Sequence, residues 1–303
     1  MPPITRRRDK QAVIANEGVA GRLGDERADG PAIDCHAHVF AREMPYAADA
    51  WTRPDYAFTA DDLLAQMDRH GVRLAVISGL SIVGCYNDYT LAQLRAHQRL
   101  RGTVIVPPSA DMAMLEQMHG DGVVGIRLQL ARSARLPDLA GAEYRGLLHQ
   151  VRDLGWHVHI AIEGQRLRPM LAPLLDSGVD VVIDHFGHPD PEDPLHCDGF
   201  HAMLDAVQGG RCWIKLAAGF RLPGPEAWRD DPDGDLETLA ATVAAELLAR
   251  VGPGRLLWGS DAPFVGYEAR VTYADVLASY RRWVPDAATR AAIDRTAMAL
   301  YFR

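Results

Sequence analysis

The sequence predicts one (β/α)8 barrel of the α/β class, a TIM barrel, and three observations carry that prediction. Eight short apolar runs follow one another from Ala32 onward. Amphipathic stretches of helical length separate them, the alternation that parallel sheets with buried strands require. No glycine-rich loop follows the first run, as a dinucleotide-binding open sheet would have. A barrel takes roughly 250 residues, so a chain of 303 residues holds one with an extension to spare.

Residues 1–30 are polar, aperiodic and rich in Arg, Asp and Gly, and they read as a flexible arm outside the domain. Residues 31–303 then form a single catalytic barrel. The expected strands are 32–35 (AIDC), 73–77 (RLAVI), 102–106 (GTVIV), 122–128 (GVVGIRL), 156–162 (WHVHIAI), 179–184 (VDVVID), 211–216 (RCWIKL) and 255–259 (RLLWG). Helical periodicity falls near 60–70, 87–98, 111–119, 141–154, 166–176, 198–208, 236–250 and 271–283. A last helix near 286–300 closes the chain.

Composition narrows the function. A net charge of -8 argues against general nucleic-acid binding. No stretch approaches 18 uncharged apolar residues, so no membrane span is expected. Arg6-Arg7-Arg8 lacks the apolar segment that a secretion signal needs, and a cytoplasmic protein is expected. Four cysteines (Cys35, Cys85, Cys197, Cys212) form no C-x-x-C pair and read as buried free thiols. The sequence leaves assembly into a homo-oligomer open.

Functional groups of such a barrel collect at the C-terminal ends of its strands. The first strand runs into Asp34-Cys35-His36-Ala37-His38. An i, i+2 spacing puts both imidazoles on one side of extended chain. Two neutral rings there can share one cation or one substrate oxygen; two solvated loop histidines fit H-x-H alone equally well. The sixth strand ends in Ile183-Asp184-His185-Phe186-Gly187-His188-Pro189, so either Asp184 or His185 must point inward. The eighth ends in Trp258-Gly259-Ser260-Asp261-Ala262-Pro263. Packing does not explain an aspartate there, and capping a helix is its competing role. His159 lies on strand five, on the side of Ala161 and Glu163. It sits one layer too deep for the mouth and reads as a buried polar group, whereas Glu163 is placed to contact substrate. His70, His97, His119, His149 and His201 fall on helical stretches and carry no chemistry.

Taken together, H-x-H after strand one, D-H-x-G-x-P after strand six and G-S-D-x-P after strand eight resemble the amidohydrolase superfamily, in its amidohydrolase family 2. The nearest likeness is to the branch whose lactonases open pyrone-dicarboxylate, sugar and muconolactone rings. It runs from about Ala32 to Phe302 and takes in Pro45-Tyr46, Tyr56, Ser81, Asn87, Gly125-Ile126-Arg127-Leu128, Gly155-Trp156-His157-Val158, Trp213-Ile214-Lys215 and Arg221-Leu222. The resemblance implies a distorted barrel of amidohydrolase type that hydrolyses a lactone or related cyclic ester bearing a carboxylate. Asp261 would activate water, while His36, His38 and His185 would polarise the scissile carbonyl, directly or through a divalent ion. Arg127 and Arg221 match positions that bind substrate carboxylates, a task suited to a bidentate cation. Tyr56, Ser81, His188 and Glu163 complete the implied substrate contacts.

The sequence departs from the dicarboxylate pattern at the mouth. His188 stands in place of an arginine, Ala161 of a tyrosine, and Gly79 of a polar residue; Ala262 and Phe264 replace a tryptophan and a histidine. These changes imply a substrate with fewer carboxylates or a larger apolar part, with Arg132 or Arg135 as replacement cations or plain loop charges. Arg127 occupies the strand-four position of a carboxylated lysine, which argues against a binuclear centre. At most one divalent cation is expected, zinc first, on His36, His38 and Asp261, with metal-free catalysis as the alternative. Arg127 beside that ion is awkward unless an anionic substrate lies between them. Two other readings compete: a decarboxylase of an aromatic acid, which requires a strand-five histidine at the site, and an inactive barrel that binds a carboxylated ligand.

Overall fold

The computed structural model describes residues 31–222 and 237–302, so the arm read over 1–30 lies outside the described residues. Eight parallel strands pair in chain order. They are β1 (Ile33–Ala37), β2 (Leu74–Ile77), β3 (Leu100–Val104), β4 (Val123–Gln129), β5 (His157–Ala161), β6 (Asp180–Ile183), β7 (Cys212–Ala217) and β8 (Leu256–Gly259). Helices lie between them: α1 (Ala60–His70), α2 (Asp88–Ala96), α3 (Met112–Gly120), α4 (Ala142–Asp153), α5 (Arg168–Asp176), α6 (Asp198–Gln208) and α7 (Glu237–Val251). Two more, α8 (Tyr273–Trp283) and α9 (Ala287–Tyr301), follow the last strand. The main core is the shell between strands and helices, and a second cluster gathers Cys35, Val76, Val182, Leu257 and Tyr301.

Local chemistry explains the element ends. Thr59 and Asp62 form a reciprocal capping box at the start of α1, and Thr272 with Asp275 does the same for α8. The strands read as near-continuous apolar runs because both of their faces are covered.

The ring closes at one short seam. Ala37 pairs with Ala262, the His38 amide donates to the Ala262 carbonyl at 2.8 Å, and the Asp261 amide donates to the His36 carbonyl at 2.7 Å. Gly259 makes that approach possible: a Cβ on it would sit 2.5 Å from the His36 Cβ. The expected first strand, 32–35, proves too short. Pairing with β2 shifts register between Asp34 and Ala37 and carries β1 through both. His36 therefore stands inside the strand and not in the loop after it. β3 starts at Leu100, two positions before the expected 102, because Arg101 joins the ladder opposite Val76 and lays its guanidinium over the Phe302 ring. The thiols also differ from expectation: Cys35 and Cys212 are buried, but Cys197 is half-buried and Cys85 exposed. Among the described residues, no helix is long and apolar enough to cross a membrane.

Candidate active site

The seam sets the site. Asp34 clasps it: Oδ1 accepts from the amides of His36 (3.1 Å) and Ser260 (2.9 Å), and Oδ2 accepts from the Tyr273 hydroxyl (2.9 Å). That clasp brings the H-x-H of β1 against the aspartate after β8. Asp261 Oδ1 lies 3.6 Å from His36 Nε2 and 3.5 Å from His38 Nε2. The two imidazoles stand edge-on with centroids 5.1 Å apart, and His185 packs on His36 at 4.5 Å. His188 follows at 5.1 Å from His185.

The sequence required one of Asp184 and His185 to point inward, and the structure buries both. β6 ends at Ile183, and His185 and Phe186 take left-handed φ values of 52° and 56°. That turn sends both side chains into the site. Asp261, Ala218 and His188 are also left-handed, at 66°, 56° and 44°, and all lie just beyond the C-terminal ends of strands. Such conformations cost about 1–3 kcal/mol each and persist where surrounding structure enforces them.

Under the rings lies a charged layer. Asp184 Oδ2 accepts from Arg127 Nε at 2.9 Å, and Oδ1 lies 3.1 Å from Lys215 Nζ and 3.5 Å from His36 Nδ1. Burial pushes the Asp184 carboxyl up, but Lys215, His36 and Arg127 override it and hold the group well below the carboxylate range. Arg127 is only 4% exposed and also donates to the Gly79 carbonyl at 2.8 Å. Its charge is thus met by Asp184, so no substrate anion is needed to separate it from a cation. Sequence reasoning gave neither Asp184 nor Lys215 a role. The one signal for Lys215 was a lysine inside the apolar run RCWIKL.

Asp261 follows the same electrostatics at the surface of the site. Arg221 Nε donates to its Oδ2 at 2.6 Å while Nη2 holds the Val265 carbonyl at 3.1 Å. The guanidinium lies over the rings of Phe220 and Tyr267. Burial raises the Asp261 carboxyl, but Arg221 and the histidines outweigh it and keep the group ionised, well below its ordinary range. It caps no helix. Burial lowers His185 to about 3 and His188 to about 4, so both rings are neutral.

Backbone carbonyls fix two of the rings. His38 Nδ1 lies 2.9 Å from the Ser78 carbonyl, and His185 Nδ1 lies 3.3 Å from that of Ala217. A carbonyl only accepts, so each Nδ1 carries a hydrogen, and a ring with that single hydrogen has its lone pair at Nε2. His36 Nε2 is buried and makes no hydrogen bond. Among the described residues, His36, His38 and Asp261 offer ligand atoms within 4.8 Å of one another. Two imidazoles and a carboxylate, with a buried ring nitrogen free of other partners, fit one divalent ion. The second such group, His36, Asp184 and His185, draws its carboxylate from a residue already shared by two cations.

The remaining expected residues sit around this centre. The Tyr56 hydroxyl donates to Glu268 at 2.7 Å. Glu163 accepts from the Arg132 amide at 2.7 Å and pairs with Arg166 at 3.1 Å. The His188 carbonyl accepts from the Gly164 amide at 2.8 Å, tying the loop after β6 to that after β5. Ser81 opens a short 3-10 turn after β2. His159 is fully enclosed, with Lys215 on Nδ1 at 3.1 Å and the Tyr301 hydroxyl 3.5 Å from Nε2. It cannot serve as the strand-five ligand that the decarboxylase reading requires.

Known proteins resemble the chain in sequence and fold. The chain is 28% identical over 268 residues to a 4-sulfomuconolactone hydrolase of Rhizobium radiobacter, covering 86% of this chain and 85% of that one. A solved structure from Acinetobacter baumannii is described as a probable 2-pyrone-4,6-dicarboxylic acid hydrolase with citric acid bound. It superposes with a TM-score of 0.83 at 26% identity, covering 90% of this chain and all of that one. A second, from Pseudomonas putida and described as a putative 2-pyrone-4,6-dicarboxylic acid hydrolase, is 34% identical with a TM-score of 0.80, covering 90% and 97% of the two chains. The family model described as amidohydrolase matches residues 33–303, nearly the whole barrel, and the chain belongs to the amidohydrolase family.

Proposed function

We propose that this protein hydrolyses a lactone or related cyclic ester that bears a carboxylate. The observation that carries the reading is Asp261: an ionised carboxylate 3.5 and 3.6 Å from two ring nitrogens, with Arg221 at its other oxygen. Ester hydrolysis needs a base beside the attacking water and a donor where the oxyanion forms. Asp261 Oδ1 is an acceptor, and a water donating to it is held as a nucleophile beside the His36 and His38 rings. Asp261 takes its proton. His36, His38 and His185 surround the carbonyl, and the polarising hydrogen bond falls to His36, since the other two spend their N–H groups on backbone.

Arg221 has two tasks. It keeps Asp261 ionised, and it offers a cation to a substrate carboxylate beside the base. When the guanidinium turns to that carboxylate, its hold on Asp261 loosens and the base strengthens. Arg127 acts from beneath, through Asp184. The similarity to named lactone hydrolases and to a citrate-bound neighbour supports a small carboxylated substrate. A divalent ion, zinc by the donor set, would be held by His36, His38 and Asp261 only with the His36 hydrogen off Nε2, and it would then supply the Lewis acid for the carbonyl in place of the His36 hydrogen bond.

The test is Asp261→Asn, assayed for acid release on a panel of carboxylated lactones. The variant is expected to fold with an unchanged circular dichroism spectrum and to lose at least about 100-fold in turnover. Undiminished turnover overturns the assignment of the base.

A further inference from the structure

Lys215 is enclosed in the barrel at 0% exposure; burial favours loss of its proton, and the Asp184 carboxylate beside it opposes that loss and keeps it an ammonium. Its Nζ lies 3.2 Å from His36 Nδ1, 3.1 Å from His159 Nδ1, 3.1 Å from Asp184 Oδ1 and 3.5 Å from Ser78 Oγ. An ammonium has three hydrogens and accepts nothing. Two ring nitrogens and one carboxylate oxygen are the three nearest acceptors, so each ring must turn a lone pair toward Lys215.

For His159 this puts the hydrogen on Nε2, where the Tyr301 hydroxyl lies 3.5 Å away and can accept it. His36 has a rival, since Asp184 Oδ1 lies 3.5 Å from its Nδ1 and would welcome a proton there. The nearer neighbour decides. A hydrogen on Nδ1 would point at an ammonium 3.2 Å away. A lone pair is attracted to that ammonium and only weakly repelled by the more distant carboxylate.

We propose that Lys215 is a positioning residue that holds His36 with its hydrogen on Nε2, so that the H-x-H pair presents one donor and one acceptor to the site. His38 is held the other way by the Ser78 carbonyl. The same Ser78 contributes its hydroxyl to the Lys215 shell, so one residue touches both settings. The donor at His36 Nε2 stands 3.6 Å from Asp261 Oδ1, beside the base, and is there for the ester oxygen as it gathers charge. The lone pair that a divalent ion would take from His36 faces Lys215 instead, so Lys215 also weakens the grip of the site on such an ion. The meaning of the donor rests on the hydrolytic reading above, but its existence does not.

The experiment reads the tautomer directly. The metal-stripped protein, labelled with nitrogen-15 in histidine, is compared with His36→Gln to find the His36 signals by nuclear magnetic resonance. Wild type is expected to show a bare Nδ1 and a protonated Nε2. In Lys215→Met, Asp184 keeps Arg127 as counter-ion, and the hydrogen is expected to move to Nδ1, toward Asp184. Zinc alone is then expected to bind that variant at least about tenfold more tightly than wild type, the scale of outer-shell effects on metal affinity. A protonated Nδ1 in wild type overturns the proposal and needs no variant to fold. An unchanged His36 spectrum in Lys215→Met overturns it too. If the tautomer is as stated and no lactone is turned over, the hydrolytic reading falls and the positioning role stands.

Discussion

Two polar layers meet at the C-terminal end of the barrel, and they are built by different rules. The lower one has Arg127, His159 and Lys215 within strands β4, β5 and β7 and Asp184 just beyond β6; it is almost wholly buried and paired group for group. The upper one, Tyr56 with Glu268 and Glu163 with Arg166, sits on loops, and its pairs are half open to solvent. Losing one partner in the lower layer strands a charge in a dry interior. Losing one in the upper layer hands a group to water. The lower layer therefore fixes how the rings of the site are set, while the upper layer is free to vary with substrate.

The sharpest way to break this contrast is Asp184→Ala, which leaves Arg127 and Lys215 buried without their carboxylate. Urea unfolding is expected to show a loss of about 3–5 kcal/mol, and a loss below about 1 kcal/mol would mean the layer is not the dry, paired cluster it looks to be. Acid comes next. His185 and His188 are neutral in the fold, at about 3 and about 4 against an ordinary 6.5. Between pH 6.5 and 4 the folded state thus binds fewer protons than the unfolded chain, so stability falls as pH falls through that window. The carboxyls of Asp184 and Asp261 are held low, so their contribution persists until pH drops below the ordinary carboxylate range. The urea midpoint should decline from pH 6.5 to 4, and less steeply in His188→Asn.

A smaller effect separates the layers at Asp261. Arg221 holds that carboxyl down, so Arg221→Met should raise it and move the acid limb of the pH–rate profile to higher pH. An unmoved limb would show that the guanidinium does not govern the base. The smallest effect belongs to the rim: Glu163→Gln is expected to change stability by less than about 1 kcal/mol, with any change in activity appearing in KM.

Much of this was legible from residues alone. The eight-fold alternation appears because buried parallel strands leave a periodic apolar trace. His36, His38, His185 and Asp261 stand out because polar residues at strand ends need a reason. The pairings were not legible. Lys215 meets His36 across 179 positions, and Arg127 meets Asp184 across 57. Such partners are chosen by the curvature of the closed sheet, which no local pattern encodes. The left-handed turn after β6 hid in the same way: alternation required one inward group, and the backbone supplied two.

The seam has a consequence for how the protein comes into being. Asp34 and Ser260, which clasp it, are 226 positions apart, and the water-activating carboxylate arrives with the last strand. The first seven strands can pair with their predecessors as they form, yet none of that order creates a competent site. Activity should therefore return late in refolding, after helical signal has recovered, because long-range closure is the slow step. The clasp works as a completion check. A half-assembled barrel holds the histidines and the buried lysine but not the base, and it cannot act on anything until its two ends have found each other.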